Sequence, residues 1–334
     1  MPVDVASGLI VRAYRDGDER AILELFDRSF PHSPRSLEHF RWKYRDDPFG
    51  SERISLTFAG AQLAGHYAGY GVPFRIYDGA KRRELNANQI GDTMTDLSVR
   101  HIGRGPTSIL GRTALHFYEN FCEGKVAFNY GFNVANIQKF SLRFLRSDRV
   151  EPVTYRVAPP LPPIKRSERW LRGYSFELVR DPGAEFDALF ERVAGAYGFC
   201  VARNASYIRW RYLQCPDVPE YAVIAVRKWR KLVGWIAFRI GETFRWGDAL
   251  FDPHFPDAVE VTLRHVLPSY PVSSVEAWFP PRPRWFDELL ISLGFETRPH
   301  PQDLSLMCVP FMLSDATARM REGLYYAWGD SDLF

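Results

Sequence analysis

Cysteine is scarce and scattered: Cys122, Cys200, Cys215 and Cys308 form no Cys-x-x-Cys pair. A disulfide framework and a thiolate zinc site are therefore not expected, and a reducing, cytoplasmic setting is. The 8 histidines lack metal-ligand spacing, so no metal is expected. No stretch approaches the roughly 20 apolar residues of a membrane-spanning helix, and the start of the chain lacks a basic segment followed by an apolar run. Neither a signal peptide nor a membrane partner is expected. Charge of one sign is missing too, because a net charge of +3 is spread without a basic tract. No nucleic-acid partner is expected from that balance. Glycine is absent from Phe251 to Leu293, a gap that gains meaning beside the first half of the chain.

What is present is a repeat. Phe40 to Pro48 reads FRWKYRDDP and Ile208 to Pro216 reads IRWRYLQCP, with Arg, Trp, Tyr and Pro displaced by one common interval. Upstream of the first copy, Ile22, Leu25, Phe26 and Phe30 recur at helical spacing after Asp16-Gly17-Asp18. Upstream of the second, Phe186, Leu189, Phe190, Val193 and Tyr197 do so after Asp181-Pro182-Gly183. Downstream, residues 54–59 with 63–70, and 221–226 with 232–240, read as hairpins. Helix, helix, hairpin thus occurs twice, and the chain reads as a duplicated fold. The repeated motif is then the end of a second helix, its aromatics packed on the hairpin.

Between the halves, residues 158–163 read APPLPP, which favours an extended, semi-rigid connection. The expected division is residues 1–157, a Pro-rich linker 158–168, and residues 169–334. A length of 334 residues, 46% hydrophobic and 25% charged, gives each half an ordinary core.

The first half continues with a strand, NQIGDTMTDLSV, then Arg100-His101-Ile102-Gly103-Arg104-Gly105-Pro106. A helix follows, with Leu110, Ala114 or Leu115, Phe117 and Phe121 on one stripe and Pro106 in its first turn. Backbone N–H groups at such a junction meet the positive end of a helix dipole, and glycines let main chain approach an anion, which suits phosphate. Neither the nucleotide P-loop nor the three-glycine dinucleotide fingerprint matches.

Arg-x-x-Gly-x-Gly between strand and helix resembles the signature of the GNAT superfamily of acyl-CoA N-acyltransferases. The surroundings add to it: two helices and a hairpin before the loop, then Lys125 to Tyr130 as a strand and residues 131–136 opening another helix. In the second half, Leu290 to Glu296 resembles the family's Leu-Gly-Phe helix end, but Asp252-Pro253-His254-Phe255-Pro256-Asp257 replaces the glycine loop with acids that repel pyrophosphate. The chain resembles tandem GNAT proteins with one competent half. The implied fold is α/β (α+β), two tandem domains, each with a central mixed, mostly antiparallel sheet flanked by helices.

The resemblance implies an acyl-CoA-dependent, in the first instance acetyl-CoA-dependent, N-acyltransferase whose small-amine substrate attacks the thioester directly. Arg100, Ile102, Gly103, Arg104, Gly105 and Thr107 would hold the pyrophosphate, and the backbone of Thr95, Asp96, Leu97 and Val99 would face pantetheine and thioester. Asp92 and Asp96 share strand parity, and each is a base, a substrate anchor or a solvated charge; Asp92 is the preferred base. The family's proton-donating Tyr corresponds to Phe144, which has no proton to give, leaving Tyr130 as the substitute or as packed core. Asn136 either bonds the pantetheine amide or caps its helix, and capping is favoured. The terminal carboxylate of Phe334 is a further active-site candidate, since some tandem relatives place their chain end there. The alternatives are an acyltransferase using an acyl-carrier protein or aminoacyl-tRNA, and a non-catalytic CoA-binding scaffold. A monomer or a homodimer fits either.

Overall fold

The computed structural model describes residues 8–31, 34–216 and 221–334. The first half runs β1 (Leu9–Ala13), α1 (Glu19–Ser29), α2 (Leu37–Tyr44), β2 (Ile54–Ala59), β3 (Gln62–Asp78), β4 (Lys81–Thr95), α3 (Ile109–Phe121), β5 (Phe128–Asn133), α4 (Ala135–Phe144), β6 (Asp148–Pro152) and β7 (Tyr155–Ala158). A short helix α5 (Arg166–Leu171) precedes the second half. There follow β8 (Tyr174–Leu178), α6 (Ala184–Tyr197), β9 (Phe199–Val201), α7 (Ala205–Ile208), β10 (Ala222–Lys228), β11 (Lys231–Ile240), β12 (Phe244–Phe251) and α8 (Asp257–Val266). The chain ends with β13 (Val275–Trp278), α9 (Arg284–Ser292), β14 (Glu296–Arg298), β15 (Ser305–Pro310), α10 (Ala316–Gly323) and β16 (Leu324–Tyr325).

The order of elements repeats, strand, two helices, three strands, helix, strand, helix, two strands, with β9 inserted between the two helices of the second copy. The repeated Arg-Trp-basic-Tyr motif closes α2 in one copy, and in the other it continues α7 as a π-helical turn, Arg209–Leu213. Trp42, Tyr44, Trp210 and Tyr212 are all buried, as expected for motif aromatics that pack rather than bind.

The two sheets are mixed and mostly antiparallel, with parallel pairs β4/β5 and β9/β16 in the first and β12/β13 in the second. The first has the order β1-β2-β3-β4-β5-β15-β6 and the second β14-β7-β13-β12-β11-β10-β8. β7 of the first half therefore joins the second sheet, and β15 of the second half joins the first. The division of the chain follows this exchange and is not one cut in the Pro-rich segment. The first unit comprises the residues up to Pro73, then Leu85–Glu151 and Leu304–Ala318; the second comprises Phe74–Glu84, Pro152–Asp303 and Arg319–Phe334. The reason is backbone pairing: β7 lies between β13 and β14, and β15 beside β5, so each belongs where its ladder partners are. In the second unit β9 pairs with the far end of β3 and, in parallel, with β16.

In the first unit, Ile22, Leu25 and Phe26 of α1 and Phe40 and Tyr44 of α2 close over Ile54, Leu56, Leu63, Ala68 and Met94 of the sheet. Three local expectations are corrected. Asp18 stands at the start of α1 but makes no capping bond, because Arg12 takes both its oxygens at 2.6 and 2.7 Å. α3 begins at Ile109, capped by Ser108, and Pro106 belongs to a separate 3-10 turn ahead of it. Its buried face is Ile109, Thr113, Ala114, Phe117 and Tyr118, shifted from the expected stripe. β5 starts later than expected and takes Gly131, Phe132 and Asn133, so α4 opens only at Ala135.

Candidate active site in the first unit

β4 and β5 are joined at only two positions, Asn88 with Asn129 and Gln89 with Tyr130. From there β4 continues to Thr95 with no ladder to β5. Asp92 lies in this free stretch at φ +48°, a left-handed conformation uncommon outside glycine. An open strand edge of this kind leaves main-chain donors available to a carbonyl in the gap.

β4 runs into a 3-10 turn, Leu97–Val99, and then into the glycine loop. Gly103 and Gly105 have φ of +72° and +53°. A Cβ on Gly103 would lie 2.2 Å from the Thr107 carbonyl oxygen, and one on Gly105 would lie 2.8 Å from the Phe144 ring. Both positions thus demand glycine. The amides of Gly103 and Gly105 have no acceptor among the described residues, whereas that of Arg104 reaches Thr107 Oγ1 at 3.3 Å. The Thr107 hydroxyl also donates to the Arg104 carbonyl, so this side chain shapes the loop. Val99 and Ile102 are half-buried against Leu9, Ala64 and Ile109 and pin the loop down. Arg100 and Arg104 are exposed and pair with no acid among the described residues. Leu97 is exposed on the approach. The donor set, two arginines and unpaired amides just ahead of a helix N-terminus, fits a diphosphate.

Phe144, at the end of α4, forms the floor under Gly105 and contacts Phe140. The helix's N-cap is Val134, without a side-chain bond, so the capping reading of Asn136 does not hold. Asn136 is exposed in the first turn, and its amide makes no bond within the protein. Tyr130 is buried, edge-on to Phe128 and Phe132 and paired through backbone with Cys308 of β15, the environment of a core residue.

Asp92 lies in β4 and Asp96 just past its end, and both are occupied. Asp92 Oδ2 accepts from Lys43 Nζ at 2.8 Å and from the Tyr44 hydroxyl at 2.7 Å. Burial pushes its pKa up, but the Lys43 and Arg35 charges and these two bonds outweigh that and hold it well below the usual carboxylate range. Asp96 accepts from the Ser98 hydroxyl at 2.6 Å, Arg28 at 2.9 Å and Gln62 at 3.0 Å. Led by the Ser98 bond, these hold it down to about 2. Neither carboxylate is a basic group at neutral pH.

The second unit sharpens the point. There Tyr212, the counterpart of Tyr44, donates to Asp248 of β12 at 2.7 Å. The same Tyr–Asp link therefore joins the repeated motif to β4 in the copy with the loop and to β12 in the copy without it. A link common to both is architecture. Phe334 is also placed in this second unit: its terminal oxygen accepts from Arg211 at 3.3 Å and from Tyr221, and its ring stacks on Tyr221. It belongs to the unit that lacks the loop.

His66 of β3 is a site residue that periodicity did not single out. It is fully buried, and its Nδ1 lies 2.7 Å from the Asp92 carbonyl oxygen. An oxygen of that kind only accepts, so Nδ1 carries the proton and Nε2 presents a lone pair, which has no partner. Burial lowers its pKa to about 4, so the ring is neutral. It lines a small recess with Arg35, His39, Tyr44, Asp92 and Met94.

Solved structures share this architecture. A probable N-acyltransferase from Enterococcus faecalis V583, a conserved protein of unknown function, aligns with a TM-score of 0.66 at 14% identity over 91% of this chain and 73% of its own. A GCN5-related N-acetyltransferase from Anabaena variabilis ATCC 29413 gives 0.65 at 13% identity over 90% and 72%. Another from Kribbella flavida gives 0.58 at 15% identity over 92% and 72%. The chain has the GNAT fold. No family model and no curated protein matches it. In this GNAT-fold chain, the splayed strands and the glycine loop fall in the first unit. Among the described residues no helix is long and apolar enough to cross a membrane.

Proposed function

We propose that the protein is an N-acyltransferase moving an acyl group, acetyl in the simplest case, from coenzyme A to a small amine within a ternary complex. The observation that carries this reading is the loop at Gly103 and Gly105, two left-handed glycines whose amides have no acceptor among the described residues, flanked by two arginines with no acidic partner among them. The coenzyme would supply the activated thioester.

The chain's own residues would do the rest. Arg100, Arg104 and the loop amides hold the diphosphate, Leu97 covers the pantetheine arm, and the Asn136 amide is free to bond it. Main chain of the unpaired stretch of β4 faces the thioester carbonyl. Lys43 and Tyr44 fix Asp92 and through it the His66 ring, whose Nε2 accepts a hydrogen bond but, at a pKa of about 4, does not hold a proton at neutral pH. The amine must then enter in its neutral form.

One observation favours a second reading. Phe144 stands on the helix end beneath the loop and cannot protonate a leaving thiolate, which suits a module that binds the coenzyme without turnover. Calorimetric titration with acetyl-CoA, wild type against a Gly103→Glu, Gly105→Glu double variant, tests the loop. Thiol release across a panel of amino sugars, amino acids and polyamines tests catalysis. Binding without release favours the second reading, and absence of binding rejects both.

A further inference from the structure

A different surface stands out in the second unit, at the β10–β11 turn and α5. Lys228 and Lys231 are cross-strand partners, so the turn consists of Trp229 and Arg230 alone, at φ +47° and +73°. Hairpins of this kind favour Asn-Gly, and a bulky aromatic there is strained. The matching turn of the first unit, between Ala59 and Gln62, has Gly60 at +61° followed by Ala61. The fold does not call for tryptophan at this place.

Trp229 is nevertheless 69% exposed. Its amide donates to the Gly173 carbonyl at 2.9 Å, and the Gly173 amide donates to the Trp170 carbonyl at 2.9 Å, which ties the turn to the end of α5. Trp170 and Leu171 are exposed at 73% and 70%. Around these three apolar side chains, Lys165, Arg166, Arg230 and Lys231 are exposed with no acidic partner among the described residues. Other cations of the same segments are engaged: Arg227 with Glu185 and Glu177, Lys228 with Asp257, and Arg172 with Glu168. An open recess of about 570 Å³ lies alongside, lined by Arg166, Arg169, Trp170 and Phe176.

We infer that this face docks the protein on an anionic phospholipid bilayer. Exposed tryptophan and leucine ringed by cations without acidic partners match the chemistry of the interface, where indole rings sit at headgroup depth and basic residues are drawn to anionic lipid. Charge disfavours a second copy as occupant, because two such faces repel. Leu171 disfavours single-stranded RNA, for an aliphatic side chain offers no stacking platform. Lying on a bilayer requires no spanning helix, so the lack of a long apolar run is no obstacle.

The test is co-sedimentation of the full chain with phosphatidylcholine vesicles, with and without phosphatidylglycerol. Wild type should pellet with the anionic vesicles only, with a blue shift in tryptophan fluorescence. Replacing Trp229→Asn and Arg230→Gly together restores a favoured turn, so thermal stability should hold or rise while vesicle affinity falls about tenfold or more. Trp170→Ser with Leu171→Ser should weaken binding through the other element. Equal pelleting with neutral vesicles, no pelleting, or full retention in both variants overturns the inference. So does cation-dependent binding of an RNA oligonucleotide, or self-association lost in these variants, without vesicle binding.

Discussion

The ring of Phe334 rests on Gly247, where a Cβ would lie 1.8 Å from a ring carbon. Gly247 comes directly after the last β12–β13 pair, Trp246 with Ala277, at the place where β4 and β5 part in the first unit. The second unit closes its own fork with the chain end. Trp328 stacks on Trp278 at 5.0 Å, and Arg203 bridges Asp248 at 2.7 Å and Asp330 at 2.5 Å.

Removing residues 329–334 should therefore destabilise the second unit. Asp330 leaves Arg203 with one carboxylate instead of two, and breaking a buried ionic network typically costs about 3–5 kcal/mol. Denaturant unfolding should show it; an unchanged midpoint would contradict the plugged-fork account. Gly247→Ala, which displaces the Phe334 ring, should cost about 1–3 kcal/mol.

Gly105→Ala should weaken acetyl-CoA binding at least tenfold and cost about 1 kcal/mol or more of stability, since the added methyl meets Phe144 and the position is left-handed. Titration calorimetry paired with thermal unfolding separates the two effects. Full affinity in this variant would remove the loop from the binding account.

Asp92→Asn should lower stability by about 3–5 kcal/mol, because Lys43 is left buried without its counter-charge. Lys43→Met combined with Asp92→Leu should recover much of the loss. A general base would behave otherwise, with stability kept and turnover lost, so unfolding and kinetics measured on the same variants decide between the roles.

His66 should leave a signature in acid. Its folded pKa of about 4 lies below the unfolded value near 6.5, so its contribution is complete above 6.5 and is lost as pH falls through 4. The difference amounts to about 3 kcal/mol. Asp47 has the opposite slope: burial raises its pKa to about 7, and its contribution, full below the unfolded value, is lost as pH rises through 7. Comparing His66→Gln with wild type between pH 4 and 7 isolates the histidine, and parallel curves would reject its burial as a neutral ring.

With Asp92 and Asp96 held ionised by partners and His66 too weakly basic, kcat/KM should rise with pH through the acceptor amine's own pKa. Amines of different pKa should shift the profile accordingly. A limb fixed near one pH for all amines would instead point to an enzyme group.

Much of the architecture was legible because its signals are local. Helical spacing around Leu25 and Leu189, alternation around Ile54 and Leu232, and the Gly103–Gly105 loop each follow from neighbouring residues. Parity placed Asp92 and Asp96 on one side of β4, but it carried no information about Lys43 and Arg28, which approach from the helices. Nor could it show that β15 pairs with β5, since a strand's pattern states which face is buried and not which ladder it joins. The Pro-rich segment does not mark the division, because Tyr155–Ala158 just ahead of it already belongs to the other sheet.

The exchange of β7 and β15 has a consequence for biosynthesis. The loop-bearing sheet stays open between β5 and β6 until Ser305–Pro310 emerges from the ribosome, long after both neighbours have been made. Such long-range pairing is slow and leaves strand edges bare in the meantime. A nascent chain halted before Ser305 should hold its first half in an unfinished, protease-sensitive state, and the sheet behind the glycine loop could close only after Pro310 has been made.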